Sequence, residues 1–97
     1  MKVEIMQWLE EWVVNNCDGD WEHSQGIQVS TLDNPGWSLS INLEGTILEE
    51  KHFEPIKIER SDTDWIHCNV QETTFRGFCG VRNMHELLLM FKRWTES

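Results

Sequence analysis

Residues 37–43 read WSLSINL, and no other stretch limits the fold of this chain so strongly. Trp37, Leu39, Ile41 and Leu43 alternate with Ser38, Ser40 and Asn42, the two-residue period of a strand whose successive side chains leave opposite sides. One side of the resulting sheet must be covered and the other stays polar, as in antiparallel sheets. Shorter alternations recur at Ile27–Ser30, after Pro55 at Ile56–Arg60, at Trp65–Gln71 and at Thr74–Phe78. Gly77 inside the last of these implies a bulge or close packing against a large neighbour. Glu44–Gly45 reads as a tight hairpin turn, with 46–50 returning as a strand that places Ile41 opposite Leu48 and Trp37 opposite His52.

Helical periodicity frames these strands. Ile5, Trp8, Leu9, Trp12 and Val13 fall at i, i+3, i+4, i+7 and i+8 within residues 3–16, which is one buried helix face. Asn15, Asn16 and Gly19 suit its end. Met84, Leu87, Leu88, Phe91 and Trp94 mark a closing helix, with Asn83 and Glu86 spaced as a capping pair. The order helix, about six strands, helix is an α+β layer pattern. It predicts a single antiparallel sheet with the N-terminal and C-terminal helices on one face, forming one domain over residues 1–97.

Between the first helix and WSLSINL lies CDGDWEHSQGIQVSTLDNPG, residues 17–36, where turn chemistry and carboxylates concentrate. Asp33, Asn34, Pro35 and Gly36 form a turn from side chains that bond nearby backbone, a fixed φ and a permissive glycine. Trp21 and Trp37 flank turns, where a large ring closes a core and its indole N–H reaches a polar partner. These six residues are read as a structural corner. Asp18, Asp20, Glu22 and His23 offer hard oxygens and one imidazole, but their spacing is not that of a calcium loop. The stretch is open to three readings: corner, metal or catalytic cluster, or binding edge.

Charge narrows the partners. Seventeen acids against eight bases give a net charge of -9. Such a chain lacks the cations needed to displace counterions from nucleic acid or to hold an anionic membrane. It is steered instead towards a cationic protein. The acidic loops offer Asp18, Asp20, Glu22, His23, Glu49, Glu50, Glu54, Asp62 and Asp64 as candidate contacts, surrounding a polar sheet face that displays Ser38, Ser40, Asn42 and Glu49. His67 shares a strand face with Trp65 and Asn69 and can join that surface. Six Trp and four Phe are too much aromatic surface for a disordered chain.

Catalytic and cofactor signatures are missing. Cys17, Cys68 and Cys79 are too widely spaced for a zinc site, and carboxylates beside Cys17 oppose a thiolate. There is no phosphate-cradling loop, nucleophile elbow or dinucleotide fingerprint. No metal or other cofactor is expected, and no enzymatic activity. An odd cysteine count and an N-terminus with acids in its apolar stripe suggest reduced thiols and a cytoplasmic location, without a signal peptide.

Trp8, Trp12, the run Cys17 to Glu22, Thr31 to Trp37, Asp64 with Trp65, Phe75 with Gly77, and Leu88, Phe91 and Trp94 carry a likeness along nearly the whole chain. In these residues the chain resembles the immunity protein 53 family of bacterial polymorphic toxin systems. The resemblance implies a small cytoplasmic α+β antidote, made beside a secreted or contact-delivered toxin and neutralising it by direct binding, with no catalytic residues to carry over. A cognate toxin, cationic and of the basic-nuclease kind, is the partner expected. A metal-binding module or metal-dependent enzyme built on Asp18, Asp20, Glu22 and His23 is the alternative.

Overall fold

The computed structural model describes residues 4–24 and 26–97. Helix α1 (Ile5–Asn16) begins on Glu4, whose carboxylate accepts the N–H groups of Met6 and Gln7 at 3.1 and 3.2 Å. That satisfies two donors of the open first turn. Val3, expected as its first residue, lies outside the described residues. Strands β1 (Ile27–Leu32), β2 (Gly36–Asn42), β3 (Ile56–Glu59), β4 (Trp65–Gln71) and β5 (Thr74–Gly80) precede helix α2 (Met84–Glu96). They form one antiparallel sheet in the order β1-β2-β5-β4-β3. Among the described residues the fold is α+β with five strands.

The register sorts side chains by parity. Leu39 faces Gly77, Ile41 faces Phe75, Ile66 faces Cys79 and Cys68 faces Gly77, all turned to the helix side. Leu39, Ile41, Ile66, Cys68, Phe75 and Cys79 are buried there. Helix α2 rests on this side with Leu87 over Gly77; a Cβ at residue 77 would lie 2.7 Å from a Leu87 methyl. Helix α1 packs on α2 through Trp12, whose ring meets Phe91 edge-on at 5.2 Å. Phe91 also contacts Phe75 at 5.0 Å, so a chain of aromatic contacts joins both helices to the sheet.

The expected returning strand at 46–50 does not form. Both edges of β2 are taken, by β1 and β5, so no pairing site remains. Ile41 pairs with Ile27 and Phe75, and Trp37 with Thr31 and Cys79. The segment runs instead as successive turns pinned by Thr46, whose hydroxyl donates to Leu43 O and accepts Leu48 N–H. Leu43 and Leu48 still reach the core, at 0% and 1% exposure. Glu49 therefore lies on a turn, off the sheet face where it was expected.

Two local expectations change in mechanism. Asn83 makes no side-chain cap bond on α2. Its amide bridges to the β3–β4 turn, donating to Asp64 Oδ1 at 2.9 Å and accepting Trp65 N–H at 3.3 Å. Gly36 does not use a positive φ; an added Cβ would lie 2.5 Å from the Cys79 carbonyl, so the close approach of β5 demands glycine.

Candidate docking face

Odd and even parity leave one side of the sheet covered by neither α1 nor α2. Across β1, β2, β5, β4 and β3, the register aligns Ser30, Ser38, Phe78, His67 and Lys57 on that side. A neighbouring row begins at Leu32 and ends at Trp65 and Glu59. The open face is therefore not uniformly polar. Leu32, Trp65, His67 and Phe78 are each half-buried, and they line a shallow depression of about 510 Å³. Glu59, Ser61 and Asp62 complete its rim, all exposed.

Electrostatics at this depression are acidic but not bare. Glu59 lies 3.5 Å from Lys57 Nζ and 3.9 Å from His67 Nε2. The second distance is within ion-pair range but too long for a hydrogen bond. His67 Nε2 and the neighbouring Asn69 Oδ1 are enclosed and lack a hydrogen-bond partner among the described residues. The His67 ring sits edge-on to Trp65 at 5.2 Å. Asp62 has no Lys or Arg within ion-pair range among the described residues.

The opposite end of the same face is a polar hollow of about 770 Å³, lined by Ser24, Gln28, Ser40, Asn42, Glu44, Gln71, Glu72, Thr73, Thr74 and Arg76. Arg76 donates to Gln71 at 2.8 Å and Asn42 to the Ser24 hydroxyl at 3.1 Å. Side chains here already hold one another.

The acidic candidates do not converge. Asp18, Asp20, Glu22 and His23 sit exposed beside the end of β2. Glu49, Glu50 and Glu54 flank a segment tied to the end of α2, where Lys51 donates to Trp94 O and Trp94 Nε1 donates to His52 O. Asp62 and Asp64 lie in the β3–β4 turn, at the other end of the sheet.

Two of these carboxylates hold the acidic turn together. Asp18 Oδ1 accepts the N–H groups of Trp21 and Asp20, which lower its pKa, and Glu22 accepts those of Asp18 and Gly19. Among the described residues no group of three His, Cys, Asp or Glu side chains is placed to hold a metal.

Asp64 is likewise occupied. Arg60 donates to it at 3.0 Å and to Glu86 at 2.6 Å, so the guanidinium holds both carboxyls below the usual range, aided at Asp64 by Asn83. The same two carboxylates raise the Arg60 pKa.

The proposed corner residues connect distant segments. Trp21 is 5% exposed, meets Trp12 edge-on at 5.5 Å, and donates through Nε1 to Asn42 O at 2.7 Å. Trp37 is half-buried and donates to Val81 O at 2.8 Å. Asp33, Asn34 and Pro35 are exposed in the turn that joins β1 to β2. Burial pushes the Cys68 and Cys79 thiols up to about 11, while Cys17 is exposed.

Sequence reasoning placed Trp65 and His67 on one strand face but missed Leu32 and Phe78 as their neighbours. The signal was available in parity. Phe75, Gly77 and Cys79 share the buried side, which forces Phe78 to the other. Among the described residues no helix is long and apolar enough to cross a membrane. No curated protein and no solved structure shows significant similarity to the chain. Residues 6–96 match the sequence profile described as Immunity protein 53. The profile spans the α1 tryptophans, the acidic turn, the Asp33–Gly36 turn, the whole sheet and α2, and the chain belongs to the immunity protein 53 family.

Proposed function

We propose that this protein is the antidote of a toxin–immunity pair, acting in the cytoplasm by non-covalent occlusion of a cationic toxin such as a basic nuclease domain. Family membership supplies the class of function. The observation that supports this route is the uncovered sheet face, where Leu32, Trp65 and Phe78 form an apolar centre beside Glu59 and Asp62. Half-buried aromatics within a charged rim are the usual make-up of a protein-binding hot spot. A cationic side chain entering the depression meets the Trp65 ring and two carboxylates together. The net charge of -9 adds long-range attraction to the same class of partner.

The toxin encoded by the adjacent gene is the reagent for the test. Mixed at low salt with an inactivated form of it, the protein should co-elute as a complex and weaken measurably as salt rises past roughly 0.15 M. Separate elution of the two species at low salt would remove the proposal.

A further inference from the structure

The two edges of the sheet are protected very differently. The β3 edge is four residues long, is preceded by Pro55 and carries Lys57 and Glu59. Short length, proline and charge are the usual devices that keep an edge from pairing with another chain. The β1 edge has none of them. Ile27–Leu32 reads IQVSTL, without a charge or a proline, and its four central residues are exposed.

The hydrogen-bond phase shows what this edge offers. Asn42 N–H donates to Gly26 O at 2.8 Å, which makes residues 26 and 42 a hydrogen-bonded pair. Antiparallel ladders alternate, so with this register Gln28 and Ser30 turn their backbone groups to β2. Ile27, Val29 and Thr31 then turn three N–H and three C=O groups to solvent. Val29 is also 52% exposed on the helix side of the sheet, an apolar side chain with space beside it.

We propose that the β1 edge receives an extended, cationic strand of the toxin, enlarging the sheet to six strands; this rests on the antidote reading above. Charge complementarity chooses the occupant. Asp33 follows β1 directly, Asp20 and Glu22 precede it, and none has a Lys or Arg within ion-pair range among the described residues. A second copy paired antiparallel about Val29 would bring Asp33 towards the acidic turn of its partner, like charge against like. A cationic strand meets attraction at both ends. Leu32, the last residue of β1, lines the aromatic depression, so one toxin domain can fill the depression and pair with the edge.

Residue-resolved amide exchange on the free protein and on its complex with the inactivated adjacent-gene toxin tests this directly. The amides of Ile27, Val29 and Thr31 should exchange fast in the free protein and at least about tenfold slower in the complex, whereas Gln28 and Ser30 are slow in both. Val29→Pro removes one outward N–H and no β1–β2 bond, so it should weaken binding about tenfold or more. The Lys57 amide, which by the Arg60–Asp64 bond and the β3–β4 register faces outward on the far edge, should exchange fast in both states. If the complex forms while the three amides stay fast, strand addition is refuted and the antidote reading survives. If the parent forms no complex, the antidote reading falls and takes the strand with it. A free protein that is dimeric with these amides protected would assign the edge to a second copy instead.

Discussion

Gly77→Ala isolates the contact that seats α2 on the sheet. The new methyl would lie 2.7 and 2.8 Å from the two Leu87 methyls and 3.2 Å from Leu87 Cγ. Comfortable carbon–carbon contact begins at about 3.5 Å, so the helix must lift by roughly 1 Å or Leu87 must leave its rotamer. Leu87 is 0% exposed, so either movement disturbs the core. Overpacking of this kind costs about 1–3 kcal/mol. Loss of glycine's unfolded-state freedom offsets about 0.4–1 kcal/mol of that. A net loss of about 1–2 kcal/mol corresponds to a thermal midpoint lower by about 5–15 °C in a chain this short. Urea denaturation with an unchanged slope is the companion assay. Leu87→Ala alone should cost about 2–5 kcal/mol by opening a cavity. In the double variant the methyl added at residue 77 projects into that cavity, so the two losses should sum to more than the measured one by about 1 kcal/mol. A Gly77→Ala protein as stable as the parent, or strict additivity, would refute the steric account.

Other outcomes separate binding from folding. Trp65→Ala should weaken toxin binding by about 2 kcal/mol or more in calorimetry, as truncation of a central aromatic contact does, with a smaller loss in thermal stability because Trp65 is only half-buried. Arg60 depresses the Asp64 and Glu86 carboxyls below their unfolded values near about 4. Their contribution is thus complete above the unfolded value and lost as pH falls through the lower folded values, and an acid melting series should show a downturn that Arg60→Met reduces. In the native protein a thiol reagent at neutral pH should label Cys17 quickly, and label Cys68 and Cys79 only on unfolding, since burial holds both thiols up to about 11.

The legible parts of this fold are those whose signal is local. WSLSINL shows its buried parity within seven residues, and the α1 stripe shows its face within three turns. Pairing is not local. The Glu44–Gly45 turn suggests a strand returning over 46–50, but β5, more than thirty residues beyond Ile41 by the Ile41–Phe75 register, already fills the edge it would need. Asn83 and Glu86 have the spacing of a cap, yet the Asn83 amide finds better partners at Asp64 and Trp65, on a turn that only the folded sheet brings near. The acidic loops are plain in the sequence, but the end of the sheet at which each lies depends on how many strands intervene. One miscounted strand was enough to place Glu49 wrongly.

This scattering of acids has a physical consequence for recognition. Carboxylates at both ends of a sheet whose strands run seven residues, roughly 20 Å, lie well beyond a Debye length from one another in salt. They cannot act as one clamp on one cation. Asp18, Glu22 and Asp64 are further restrained by the backbone and side-chain donors they serve. Such an arrangement raises the encounter rate over a broad surface more than it lengthens the life of the complex. In the proposed complex lifetime comes from short-range contact, which the uncovered face offers in Leu32, Trp65 and Phe78, next to the β1 edge. The enclosed His67 Nε2 lies at the same depression, so a partner that repositions that ring also gains a hydrogen bond lacking among the described residues. Under the proposed occlusion, the charge that dominates the composition governs approach, and a few half-buried side chains on the bare face govern how long the partner stays.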